Sequence, residues 1–197
     1  HLESYKRFVP DAEVVAVYSR SIEKTRAFAK KYDIPNSYDD LDMMLNEVEC
    51  DIVDICLPNH LHHEVALKAA NAGKHLIVEK PLCLTLEEAD DMIEACKRNN
   101  RKLMYAEELC FAPKYERIRA IVDSGAVGDV YMLKQSEKHS GPHSRWFYES
   151  DKSGGGVMMD MGCHAMAWFA WMLKGAKPKS VYADFSRFMH DTDAEDH

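Results

Sequence analysis

The feature that most constrains the fold is a regular alternation of short apolar runs and helical segments over the first half of the chain. The apolar runs, which predict buried strands, cover residues 14–18, 52–56, 75–78 and 102–106. Helices are predicted over residues 22–31, 39–46, 61–72 and 85–99. Gly73 is a typical residue to end the helix over 61–72, and Thr85 with Glu88 forms a capping box that opens the helix over 85–99. Strands separated by helices indicate βαβ units, so we predict an α/β fold with a mostly parallel sheet.

The pattern changes after Glu107, where we place a domain boundary. The following residues predict a helix over 113–123, a longer and more polar strand over 130–137, a polar loop over 139–146, a helix over 162–173 and a strand over 180–188. We therefore expect two domains, residues 1–107 and residues 108–197. The second would be the start of an α/β domain with a largely antiparallel sheet.

Composition excludes several classes of protein. A formal net charge of −8 argues against nucleic-acid binding, which needs clustered cationic residues. The six cysteines form no C-x-x-C pair and lie mostly in apolar runs, which favours reduced, buried thiols in a cytoplasmic protein. The sequence contains no run that predicts a membrane span or a signal peptide.

Two polar clusters follow apolar segments and are the strongest candidates for chemistry. Lys80 comes directly after the predicted strand over 75–78, and side chains at the carboxyl end of a parallel strand can contact a ligand. Asp160 and His164 are four residues apart, so on one helix the carboxylate could orient the imidazole. A cation, a base and a partner for that base are what alcohol oxidation requires.

The order and spacing of several motifs resemble the Gfo/Idh/MocA family of NAD(P)-dependent oxidoreductases, which act mostly on sugars, cyclitols and related polyols. The matching segments are Pro58-Asn59 with His62, Gly73-Lys74-His75 with Glu79-Lys80-Pro81, Ala106-Glu107, Phe111-Ala112-Pro113, residues 124–128, Gly154-Gly155-Gly156, and Asp160-x-Gly162-x-His164. The resemblance implies a Rossmann-type dinucleotide-binding domain over residues 1–107 and a substrate or oligomerisation domain over residues 108–197. It also implies that His164 is the general acid/base, that Asp160 is its partner, and that Lys80 binds the reacting hydroxyl.

The family's opening strand and its G-x-G-x-x-G turn, which hold the dinucleotide pyrophosphate, do not occur in this sequence. We therefore expect residues 1–197 to be an internal part of a longer protein, called here the parent protein. The resemblance implies that this parent protein is a homo-oligomer. Residues 1–8 would be the end of the family's first helix. Without the first strand, strands 14–18 and 52–56 would flank an empty slot, and the isolated chain would be unstable or would close its sheet differently.

The cofactor is predicted to be NADP or NAD, and the residues after the first strand favour NADP. Ser19-Arg20-Ser21 replaces the acidic residue that usually binds the ribose of NAD, and Arg and Ser suit a 2′-phosphate. The alternative is a solvated turn in which Ser21 caps the next helix. Further cofactor contacts are expected at strand ends, although Asn59 could instead cap its helix. These expected contacts are Pro58, Asn59, His62, Glu79, Lys80 and Glu107.

The polar loop is the predicted substrate-binding segment. His139, His143, Arg145 and Trp146 could line a carbohydrate pocket together with Lys80, Asp160 and His164; the alternative is an exposed loop. Histidine, aspartate and cysteine residues also bind metals, so a metal site built from His139, His143, Asp160, Cys163 and His164 is a rival. We expect no metal, because the spacing matches no standard zinc motif.

The predicted function is hydride transfer between NAD(P) and a carbinol carbon of a sugar, cyclitol or other polyol. Two alternatives stay open: a glycoside hydrolase that uses bound NAD transiently, and a non-catalytic ligand sensor that keeps the fold. Fold alone does not decide between these functions.

Overall fold

The computed structural model describes all residues from His1 to His197. Five strands, β1 to β5, occupy residues 16–18, 36–38, 52–55, 75–78 and 103–105. Eight α-helices, α1 to α8, occupy residues 2–8, 22–32, 41–47, 62–71, 86–98, 113–123, 150–153 and 163–172. Short 3₁₀ turns cover residues 59–61, 109–111 and 145–148, and a π-turn covers residues 158–162.

All the strand pairs are parallel, as predicted, but the strands form two separate sheets. β1 pairs with β2, and β4 lies between β3 and β5. β1 and β3 share no hydrogen bonds, so the sheet is interrupted at the slot that the sequence predicts. Helix α1 reaches β3 through its side chains, because His1 and Tyr5 both bond to the Asp54 carboxylate at 2.8 and 2.7 Å.

The core lies between the three-stranded sheet and helices α3, α4 and α5. Ala66, Ala69 and Ala70 on α4 are fully buried, and small side chains let this helix approach the strands and α5 closely. Met92 on α5 and Val78 on β4 are also fully buried. This packing fixes the carboxyl end of β4, where Lys80 follows.

Local sequence signals explain where the helices begin. The predicted capping box of α5 is present with one partner shifted: the Thr85 hydroxyl accepts from the Glu88 backbone N–H at 3.2 Å, and the Glu88 carboxylate accepts from the N–H of Leu84, one residue before the N-cap, at 2.8 Å. Ser21 caps α2, as the alternative interpretation of that turn predicted. Strand β2 was not predicted, because Asn36-Ser37-Tyr38 carries little of the β-branched and aromatic character of strands.

The antiparallel sheet expected in the second half is not formed within residues 108–197. Residues 130–137 and 180–188, the two predicted strands, are not in a sheet. A strand exists only when a neighbour satisfies its backbone groups, and no segment of the chain pairs with either one. This half consists of helices, turns and irregular segments, and Tyr115 of α6 packs on Trp168 of α8 with ring centroids 5.5 Å apart.

No helix in the structure combines the length and the apolar character needed to cross a lipid bilayer.

Candidate functional site

The candidate site lies at the edge of the sheet where the parallel strands end. Asn59 follows β3, Lys80 follows β4 and Glu107 follows β5, and in a parallel sheet these ends lie on the same side. The π-turn and helix α8 of the second half lie against this edge, since both Lys80 and Glu107 bond to them. The structure therefore brings the two predicted polar clusters together.

Lys80 is held by Asp160. Its ammonium donates to Asp160 Oδ1 at 2.8 Å and to the Asp160 carbonyl at 3.0 Å, and the two side chains are only 19% and 16% exposed. Burial by itself would lower the pKa of Lys80, but the hydrogen bond and the negative charge of Asp160 outweigh it, so the pKa is raised. Lys80 is therefore a charged ammonium throughout the physiological pH range.

His164 is paired with Glu107 and not with Asp160, which corrects the predicted pairing. His164 Nδ1 lies 2.8 and 2.9 Å from the two Glu107 oxygens, and both residues are buried. The prediction assumed one regular helix over residues 160–164. Asp160 instead lies in the π-turn, whose i→i+5 bonding interrupts the α-helical register before His164. Glu107 was predicted to contact the cofactor, and in this structure it contacts His164.

Cys163 lies between these two pairs. Its thiol donates to the Asp160 carbonyl at 3.3 Å. Burial raises the pKa of Cys163 to about 11, against the opposing positive charge of Lys80. The ligand atoms of Glu107, Cys163 and His164 lie within 4.8 Å of one another. Of the rival metal-binding set, only Cys163 and His164 belong to this group, and the ammonium of Lys80 nearby opposes a second positive charge there.

A cleft of about 440 Å³ opens beside Lys80 and Asp160. The predicted loop residues His139 and His143 line it, whereas Arg145, Trp146 and His164 do not. Trp146 instead stacks on Phe147, with ring centroids 3.8 Å apart. The sequence analysis missed six residues that line this cleft: Ser140, Gly141, Pro142, Ser144, Phe147 and Met161. Their proximity in the chain to His139 and Asp160 was the signal that could have identified them.

A second cavity of about 500 Å³ lies at the ends of β1 and β2. Ser19, Arg20 and Pro58, all predicted to bind cofactor, line it, together with Asp39, which the sequence analysis missed because β2 was not predicted. The cavity lies at the sheet edge where the dinucleotide fold holds adenosine, and its mixture of a guanidinium, hydroxyl and apolar groups fits a ribose and a base. The glycine-rich turn that would hold the pyrophosphate is not in residues 1–197.

The other predicted cofactor residues make contacts within the protein. Buried Asn59 donates through Nδ2 to the Ser153 carbonyl at 2.8 Å and does not cap its helix, so that alternative is wrong. The fully buried His62 ring lies between the Leu57 and Pro81 carbonyls, at 2.8 and 3.0 Å. The Glu79 carboxylate accepts from the Lys80 backbone N–H at 2.7 Å. These bonds hold the loop that carries Lys80 and the loop that carries Gly154, Gly155 and Gly156.

Both halves of the chain match models of one family. Residues 1–107 match the NAD-binding Rossmann fold of the Gfo/Idh/MocA oxidoreductase family, and residues 115–197 match a C-terminal domain of that family. The chain therefore belongs to the Gfo/Idh/MocA oxidoreductase family.

Several relatives are dehydrogenases. The chain is 31% identical to D-glucoside 3-dehydrogenase of Escherichia coli over 88% of its own length and 50% of that protein. It is 29% identical to trans-1,2-dihydrobenzene-1,2-diol dehydrogenase of Xenopus tropicalis, over 94% and 56%. The structure of a levoglucosan dehydrogenase with NADH and levoglucosan superposes with a TM-score of 0.82, at 27% identity, over 99% of this chain and 57% of that one. The chain thus spans about half the length of the curated relatives it matches.

Proposed function

We propose that this chain supplies the adenosine site and the catalytic groups of an NAD(P)-dependent dehydrogenase that acts on a CH–OH group of a sugar, cyclitol or related polyol. Residues 1–107 form the dinucleotide-binding domain, and residues 108–197 begin the substrate domain. One observation supports this function above the others: a half-buried ammonium, Lys80, is fixed by Asp160 in the wall of a cleft at the carboxyl edge of a parallel sheet. Dehydrogenase relatives of the same family support the same chemistry.

The proposed reaction separates a hydride from a proton. NAD(P) held by Ser19, Arg20 and Pro58 would supply the acceptor for the hydride of the carbinol carbon. The hydroxyl proton passes to His164, and the C–O bond becomes a carbonyl. Lys80 donates a hydrogen bond to the oxygen as negative charge develops on it, while Asp160 keeps the ammonium in place. His139 and His143, which also line the cleft, bind further hydroxyls of the substrate.

The experiment that tests this function replaces Lys80 or His164 with alanine in the parent protein. Each substitution should lower turnover by about 100-fold or more, because a positioned acid/base group contributes that much. Lys74→Ala is the matched control: this lysine precedes the same strand, and its ammonium donates to the Cys50 carbonyl at 3.0 Å, away from the cleft. Near-normal turnover in His164→Ala would remove its proposed role.

The same assay separates the alternatives if cofactor absorbance and sugar release are followed together on a panel of sugars and polyols. Net change of cofactor absorbance without release of an aglycone supports the dehydrogenase. Release of an aglycone with no net change of absorbance would identify a hydrolase that uses NAD transiently. Binding of a sugar with neither signal would identify a sensor.

We further propose that the cofactor is NADP in preference to NAD, and that Arg20 makes the choice. Arg20 lines the second cavity, where Asp42 and Glu64 are both paired with Lys68. Asp39 and Asp40 in the same cavity are the opposing charges. Arg20→Ala should lower the preference for NADP by about ten- to a hundredfold, the scale of a lost charge-assisted contact, and Asp39→Asn should raise it. Equal losses for the two cofactors in Arg20→Ala would contradict the assignment.

A further inference from the structure

The His164 imidazole is bound on one edge and open on the other. Nδ1 lies 2.8 and 2.9 Å from the Glu107 oxygens, and the two side chains are 7% and 6% exposed. Nε2 has no hydrogen-bond partner in the chain, and it is not among the buried atoms without a partner, so it keeps accessible surface. An ionised carboxylate has no proton to donate, so a neutral imidazole bonded to it must donate from Nδ1. In that neutral form the proton is on Nδ1 and the lone pair is on Nε2.

We propose that Glu107 is the positioning residue of the proposed base. It fixes the Nδ1–H tautomer of His164, points the Nε2 lone pair away from the carboxylate, and stabilises the imidazolium that forms when Nε2 takes a proton. Asp160, the partner that the sequence suggested, is used by Lys80 instead. The inference rests on the proposed function, since it assigns a role within the same proton transfer.

The geometry favours this role over a structural one. Two buried oxygens on one ring nitrogen restrain both the tilt and the direction of the imidazole, which a single contact would not. Glu107 is two residues beyond the end of β5, so its carboxylate is held close to the sheet, while His164 is on the first turn of α8. Glu107 therefore connects the base to the rigid sheet edge that also carries Lys80.

Other charged or titratable groups also surround the pair and affect its pH dependence. Glu108 lies 3.9 Å from the same Nδ1 through an exposed carboxylate. The phenol of Tyr105 and the thiol of Cys110 lie beside Glu107. The thiol of Cys163 lies next to the ammonium of Lys80. Among all the charged or titratable groups around His164, only Glu107 is both buried and within hydrogen-bond distance of Nδ1.

The test compares Glu107→Gln with Glu108→Gln in the parent protein, with kcat, KM and the pH profile measured in the oxidation direction. Glu107→Gln should lower kcat by about 100-fold or more with a smaller effect on KM, because an amide can bind either tautomer. The acidic limb of the profile should move to lower pH, since imidazolium loses its counter-charge. Glu107→Asp should recover part of the rate, and Glu108→Gln should have little effect.

A second readout does not depend on activity. ¹⁵N NMR of His164 should report the Nδ1–H tautomer in the unsubstituted protein and a changed tautomer ratio in Glu107→Gln. Unchanged kcat or an unchanged tautomer ratio in Glu107→Gln would overturn the proposal. Loss of activity on chelation, restored by zinc, would also overturn it by making Glu107 a metal ligand with Cys163 and His164. An unsubstituted protein that transfers no hydride but shows the predicted tautomer would refute the proposed function and leave the pairing intact.

Discussion

The bond between Lys80 and Asp160 should contribute more to the free energy of unfolding than an exposed ion pair of the same length. Two charges 2.8 Å apart attract by about 6 kcal/mol at an effective dielectric constant of about 20. Desolvating the two ions offsets most of that attraction. A net coupling of about 1.5–3 kcal/mol remains, the usual range for a hydrogen bond between charged groups.

A double-mutant cycle with Lys80→Met and Asp160→Asn measures this coupling by urea unfolding. Glu94 and Lys97 supply the matched control, because their charged atoms are 2.7 Å apart, close to the 2.8 Å of the Lys80–Asp160 pair, but their side chains are 54% and 66% exposed. We expect no measurable coupling in the control, since water screens the charges and the two long side chains lose entropy.

The pH dependence adds a further check on this pair. The pKa of Lys80 is raised in the folded protein, so its contribution is fully present below the pKa of an unfolded lysine and is lost as pH rises through the folded value. The coupling should therefore persist at neutral pH and fall only in strongly alkaline solution. Equal coupling energies for the two pairs at pH 7 would refute the argument that burial decides their strength.

Three other predictions concern the site and its supports. The Cys163 thiol, with its pKa raised to about 11 by burial, should react slowly with iodoacetamide below about pH 10 and more slowly still in Lys80→Met, as measured by mass spectrometry; fast labelling at pH 7 would contradict this. In urea unfolding, Gly154→Ala should lower the free energy of unfolding more than Gly125→Ala. Both glycines have positive φ, but only at Gly154 would an added Cβ lie 2.7 Å from the Leu84 side chain. Equal losses of stability in the two variants would mean that backbone strain alone matters. A polypeptide of residues 1–197 should bind NADPH only very weakly by calorimetry, because its sequence has no glycine-rich turn for the pyrophosphate; micromolar affinity would refute this.

Much of the first half could be predicted from the sequence because its signals are local. The Thr85 and Glu88 capping box starts α5 through contacts over three and four residues, and the apolar run over 75–78 is β4. The position of Lys80 at a strand end followed directly from that run. Conversely, residues 130–137 and 180–188 have the composition of strands, but a strand also needs a neighbour, and the sequence of a segment does not show whether one is present.

The pairing of the polar residues was decided by the tertiary structure. The sequence placed Lys80, Glu107, Asp160 and His164 among the candidates, and it suggested Asp160 as the partner of His164 because the two are close in the chain. In the folded chain Asp160 binds Lys80, 80 residues away, and Glu107 binds His164, 57 residues away. These partners meet because the π-turn brings Asp160 to Lys80 after β4 and because helix α8 brings His164 to Glu107 after β5. Neither the turn's register nor that packing is encoded in the spacing of four residues.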